Sequence, residues 1–121
     1  EVRKMKMSEI QIFDKSTNVN SFDLLGKSMW LDKSTRVGLF NSISIEKEAG
    51  KTDTVLWYDA IKYIIPISDA LSMLNEIEMY ALNCYNVTQS HIAAVKSLQT
   101  IEEIENYDYT VGYPVKLSFP G

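Results

Sequence analysis

The chain has 121 residues, enough for one domain and too few for two of ordinary size. Hydrophobic residues at 45% and charged residues at 23% match globular averages, which excludes a disordered chain and allows a core without disulfides or metal. The net charge of −4 arises in residues 61–121, where three Lys/Arg meet seven Asp/Glu, whereas residues 1–60 balance at nine and nine. An acidic half repels phosphate, and Arg3, Lys4 and Lys6 are too few to make a basic run, so nucleic acid is not an expected partner.

No apolar stretch approaches the roughly 18–20 residues that cross a membrane as a helix. The single cysteine, Cys84, excludes an internal disulfide and any multi-cysteine metal site, and it suits a reducing compartment. The sequence starts at Glu1 rather than Met, consistent with a removed signal peptide or N-terminal partner domain.

In chain order, Met5 and Met7 alternate in one phase and Ile10 and Ile12 in another, which predicts an extended segment over residues 1–20 with a slip at Ser8-Glu9. Residues 15–20 are polar and read as a loop. Phe22 to Leu25 and Met29 to Leu31 flank Gly26-Lys27 and predict a hairpin. Asp32 or Ser34 then caps a helix reaching Ala49, stopped by Gly50, with Leu39, Phe40 and Ile43 inward beside Arg36, and Glu46 and Glu48 in solvent. A second hairpin joins Thr54–Tyr58 to Ile61–Ile67 through Asp59-Ala60, with Pro66 pushing its second strand to an edge. Ser68 caps a long helix ending near Leu98, and Thr100 with Glu103 makes a capping box for a short one.

This order predicts an α+β fold in which two hairpins are each followed by a helix (ββαββα). The antiparallel sheet would carry its helices on one face. The α+β core spans residues 21–106, and residues 107–121 form an extended C-terminal tail.

The long helix carries an apolar seam at spacings of three and four: Leu74, Ile77, Ala81, Cys84, Thr88, His91, Val95 and Leu98. Leu71, Leu82, Tyr85 and Ile92 widen it, as packing on a sheet requires. The seam is either the core stripe of a monomer or, at Leu74, Ile77 and Ala81, an oligomer interface. In the tail every odd position from 107 to 119 is apolar, including Tyr109, Val111, Tyr113, Val115 and Leu117. An extended ribbon of that pattern has one sticky face, laid on its own domain or on a neighbouring subunit or partner.

A search for chemistry finds little. Cys84 and His91 are about 10 Å apart on one helix, too far to share a metal ion or to form a nucleophile pair. Gly26-Lys27-Ser28 ends like a phosphate-binding loop, but the glycine required five places earlier is Ser21, so it reads as a turn. Glu102, Glu103, Glu105 and Asp108 lack calcium-loop spacing, and Asn86-Val87-Thr88 is a glycosylation triplet inside a helix. No catalytic residue, metal site or cofactor is assigned.

The stretches Met29–Leu39 (MWLDKSTRVGL), Thr54–Tyr58 (TVLWY), Met73–Val95 and Tyr107–Phe119 (YDYTVGYPVKLSF) resemble an uncharacterised phage and prophage domain family. That family occurs in gut anaerobes, near tail and tail-fibre genes. The resemblance spans about residues 19–119. It implies a non-enzymatic structural or accessory protein, acting through protein contacts or self-association, in the bacterial host cytoplasm or the virion. It carries no catalytic residues. The alternative is a small enzyme or ligand-binding domain with a pocket around His91, Cys84 and Tyr85. A third reading is a module that accepts a partner strand at the edge carrying Pro66, which requires that the tail leave that edge open.

Overall fold

The structure, a computed structural model, describes residues 1–119. It is α+β, in the order α1 (Val2–Asp14), β1 (Phe22–Leu24), β2 (Lys27–Met29), α2 (Lys33–Glu48), β3 (Asp53–Tyr58), β4 (Ile61–Pro66), α3 (Ile67–Ser97), α4 (Ile101–Glu105) and β5 (Ser118–Phe119). The predicted ββαββα arrangement with a single antiparallel sheet is not what forms. A helix comes first, and the hairpins make separate sheets, ordered β2-β1-β5 and β3-β4. The tail strand β5 joins β1 in parallel.

The N-terminal segment is helical rather than extended, and the reason lies in its inner face. Ile10 is fully buried and Met7 and Phe13 half-buried, but Arg3, Lys6 and Asp14 share that face while Met5 and Ile12 point to solvent. Half of the packed stripe is therefore polar, so counting apolar residues hides the helical period. Each polar member has a partner: the Arg3 guanidinium donates to the carbonyls of Leu98 (2.8 Å) and Val95 (3.4 Å), and Lys6 donates to that of Glu105 (3.2 Å). The Leu98 and Glu105 carbonyls lie at the ends of α3 and α4 and that of Val95 is shared with the Leu98 amide, so the cations act as caps.

The chain divides into two compact units. The first comprises Glu1–Ser21 and Tyr80–Leu117, with Ile10, Val95 and Ile104 at its centre and Val2, Met7, Ile92, Leu98, Tyr107 and Tyr109 packed around them. Among the described residues the second comprises Phe22–Met79 and Ser118–Phe119. There Leu31, Leu39, Ile43, Leu56, Ile65, Ala70, Met73 and Leu74 converge on a void of only about 10 Å³, too small to hold a water comfortably. Phe22 packs edge-on against Trp30 and Phe119 at centroid distances of 6.2 and 5.8 Å.

Local rules account for most boundaries. Asp32 caps α2 by accepting from the Thr35 amide at 2.8 Å, and Gly50 takes φ +85° just past its end. Thr100 and Glu103 form the capping box of α4. The two hairpin turns use Leu25-Gly26 and Asp59-Ala60, all four with positive φ, as two-residue loops between right-twisting strands demand. Among the described residues no helix is long and apolar enough to cross a membrane.

Candidate functional site

The second unit contains the surface that stands out. Cross-strand register pairs Val55 with Ile64 and Trp57 with Lys62, and it pairs Leu56 with Tyr63 and Thr54 with Ile65. Paired residues share a face, so the hairpin has two different sides. Thr54, Leu56 and Tyr63 are buried on the inner one, whereas Val55, Trp57 and Ile64 on the outer one are exposed, Trp57 by 63% and Ile64 by 66%. A tryptophan and two β-branched residues exposed side by side on an open sheet face are unusual for surface left to water.

Beside the hairpin lies a groove of about 470 Å³. One wall is the run Lys62–Pro66 of β4, the other is the face of α3 bearing Asp69, Ser72, Met73 and Glu76, and Leu24, Leu25 and Phe119 complete it. The two-residue turn makes Tyr58 and Ile61 a hydrogen-bonded pair, so Tyr63 and Ile65 turn their backbone groups to β3. Lys62, Ile64 and Pro66 turn theirs outward, and among the described residues no strand pairs with that edge. The tail strand is spent on β1 instead. Among the described residues the carboxylates of Asp69 and Glu76 have neither ion pair nor hydrogen bond, and the Lys62 ammonium has no ion pair.

The seam residues of the long helix are distributed through the chain's own interior. Leu74 and Ile77 are 2% and 0% exposed and Ala81 is half-buried, so the first two present no surface. Of the tail residues, Tyr109, Tyr113 and Leu117 are half-buried and Val111 and Val115 exposed, Val115 by 90%. The single sticky face does not persist, because alternation holds only for extended backbone. Asp108 accepts from the Thr110 amide at 2.9 Å, and Gly112 takes φ +91°, so the ribbon bends over residues 110–112. Tyr109 and Tyr113 both pack on Phe13, at 5.7 and 5.6 Å, and the Tyr109 hydroxyl donates to Glu9 at 3.3 Å.

His91 is 6% exposed, with both ring nitrogens engaged, Nδ1 with the Tyr107 hydroxyl at 2.6 Å and Nε2 with the Val111 carbonyl at 2.8 Å. Thr88, the third residue of the glycosylation triplet, is buried, donates to Asp14 at 2.7 Å and meets the Tyr113 hydroxyl at 2.6 Å. Cys84 is a buried free thiol, pushed up from its ordinary pKa by burial, which keeps it a poor nucleophile at neutral pH. Tyr85, the third member of that pocket reading, is exposed. Among the described residues no group of three or more His, Cys, Asp or Glu is placed to hold a metal ion. The acidic residues Glu102 and Glu103 lie in the first turn of α4, where Glu103 serves as a cap.

The outer face was available from the alternation of Thr54–Tyr58 and Ile61–Pro66, which sets Val55, Trp57 and Ile64 on one side. Asp69 and Glu76 had no such signal, since two exposed carboxylates seven residues apart on a helix form no motif. Compared with known proteins, the chain matches no family model, no curated protein and no solved structure.

Proposed function

We propose that this chain is a non-enzymatic structural or accessory protein that works through protein–protein contacts, with the outer face of the β3–β4 hairpin as its contact surface. The observation that carries this reading is the exposure of Val55, Trp57 and Ile64 together on a sheet face that nothing else in the described chain covers. An apolar patch of that kind costs solubility, and exposed tryptophan is enriched where partners bind. A phage or prophage setting, near tail or tail fibre, rests on the sequence resemblance alone and enters as part of the proposal.

The test places a photo-crosslinker on that face by Trp57→p-benzoylphenylalanine, with Lys4→p-benzoylphenylalanine on α1 as the control, in cells that express the protein. A defined protein, or a second copy of the chain, crosslinked from position 57 and not from position 4 is expected. Identical patterns from both positions would remove the hairpin face from consideration.

A further inference from the structure

We infer that the groove beside β4 is a docking site for an extended peptide segment that carries apolar and basic side chains and adds as a strand to the β4 edge. The inference rests on the protein-contact reading and gives that contact a chemistry.

The edge supplies the first argument. Lys62 and Ile64 each turn an N–H and a C=O away from β3, and Pro66 adds a carbonyl without a donor. Unpaired edge groups are a template for another strand, and proteins usually blunt such an edge or cover it. This one is left open among the described residues, although the chain has a C-terminal strand that pairs elsewhere. The edge is also a wall of a groove, so an added strand would bury its side chains against Leu24, Met73 and Phe119 rather than against water.

Charge supplies the second. The α3 wall presents Asp69 and Glu76, two carboxylates without partners among the described residues, seven residues apart and so about 10 Å along the helix. A strand advances about 3.3 Å per residue and shows every second side chain on one side. Lys or Arg residues two or four places apart in the bound segment therefore reach both carboxylates, their flexible stems absorbing the mismatch. A second copy of this chain fits worse. Pairing β4 with its own copy would bring four such carboxylates together on an acidic protein.

The experiment titrates the full chain with a fluorescent eight-residue peptide of alternating Ile and Lys. Its Ile/Glu counterpart, and an Ile/Lys peptide N-methylated at alternate amides so that it cannot complete a strand ladder, serve as comparisons. Micromolar binding of the first is expected, with amide shift changes confined to Lys62–Pro66 and Asp69–Glu76. Loss of about tenfold or more is expected for the N-methylated peptide and for the doubly substituted protein D69N/E76Q, together with weakening as salt rises. Equal binding of the N-methylated peptide would reduce the effect to nonspecific attraction of cations to an acidic protein, and would overturn the inference. So would shift changes elsewhere, or a mass by light scattering that doubles without peptide and returns to one chain in D69N/E76Q or Ile64→Pro. Failure here with crosslinking from position 57 intact rejects the groove alone, whereas failure of both rejects the protein-contact reading as well.

Discussion

The Tyr107 hydroxyl lies 2.6 Å from Nδ1 of His91. The other ring nitrogen faces a carbonyl, which can only accept, so Nε2 donates to Val111 and, in the neutral ring, Nδ1 accepts a hydrogen bond from the Tyr107 hydroxyl. Burial raises the pKa of Tyr107, aided by nearby Asp108, and so keeps that donor protonated. The tail is thus fastened to α3 by its only histidine. Tyr107→Phe keeps the ring but strands Nδ1, and it should cost about 1–2 kcal/mol in urea unfolding, without loss of the folded baseline. A chain ending at Asn106 should lose much more, because Tyr109 and Tyr113 leave with Tyr107. An unchanged midpoint for Tyr107→Phe would mean that the bond is made as well by water.

The N-terminal helix belongs to the core of the first unit. Ile10 is fully buried among the residues that surround Val95 and Ile104. Ile10→Ala should therefore cost about 2–5 kcal/mol, while Ile12→Ala, two residues on but 68% exposed, should stay within about 0.5 kcal/mol. Equal effects at both positions would contradict the helical phase of α1.

Several turns and caps were legible in sequence, because each needs only a few adjacent residues. Asp32, Gly50, Asp59-Ala60 and the Thr100/Glu103 box all sit where local chemistry puts them. By contrast, α3 starts one residue before the expected cap Ser68, and the first hairpin turns on Leu25-Gly26 rather than Gly26-Lys27. What was not legible depends on distant partners. Arg3 and Lys6 read only as too few cations for a basic run until the ends of α3 and α4 arrive beside them, and the alternating tail reads as one ribbon until Asp108 and Gly112 bend it. The seam of the long helix was legible as apolar, but whether it faced a partner was not, and Leu74 and Ile77 are buried within the chain. The groove was illegible for the same reason, since its walls come from β4 and α3.

Ala60 occupies φ +62°, a region in which a Cβ is crowded and glycine is not. With Asp59 before it, Ala60→Gly makes the dipeptide that two-residue hairpins favour. Relief of strain outweighs the added freedom of the unfolded chain, so Ala60→Gly should stabilise the protein by about 0.5–1 kcal/mol. A lower thermal midpoint would show that the unfolded-state entropy wins instead.

Stability should fall at both ends of the pH scale. The Asp32, Glu46 and Asp108 carboxyls are held below their ordinary values, chiefly by hydrogen bonds from Thr35, Thr54 and Thr110 respectively. For such groups the unfolded chain takes up protons first, so their contribution is complete above about pH 5 and is lost as pH falls through the folded values. Tyr80 is pushed up to about 12 by burial and by nearby Cys84. Its unfolded form ionises near pH 10, so its contribution is whole below about pH 10 and disappears by about pH 12. Thermal midpoints measured across pH should show a plateau between these limits, and Glu46→Gln should flatten the acid limb.

Arg36 is 5% exposed, and two of its three guanidinium nitrogens are hydrogen-bonded. Its Nε donates to Glu78 at 2.7 Å, one terminal nitrogen donates to the Leu31 carbonyl at 2.6 Å, and the plane lies 5.2 Å from the centre of the Trp30 ring. Removing the arginine strands a buried carbonyl as well as a carboxylate, whereas Glu78, being 41% exposed, can return to water. Arg36→Met should therefore cost about 1.5–3 kcal/mol, the range for losing hydrogen bonds to a charged group. Glu78→Gln keeps an acceptor oxygen for Nε and should cost roughly half as much. The opposite order in chemical denaturation would mean that a buried charge left without its counter-ion outweighs the lost hydrogen bonds.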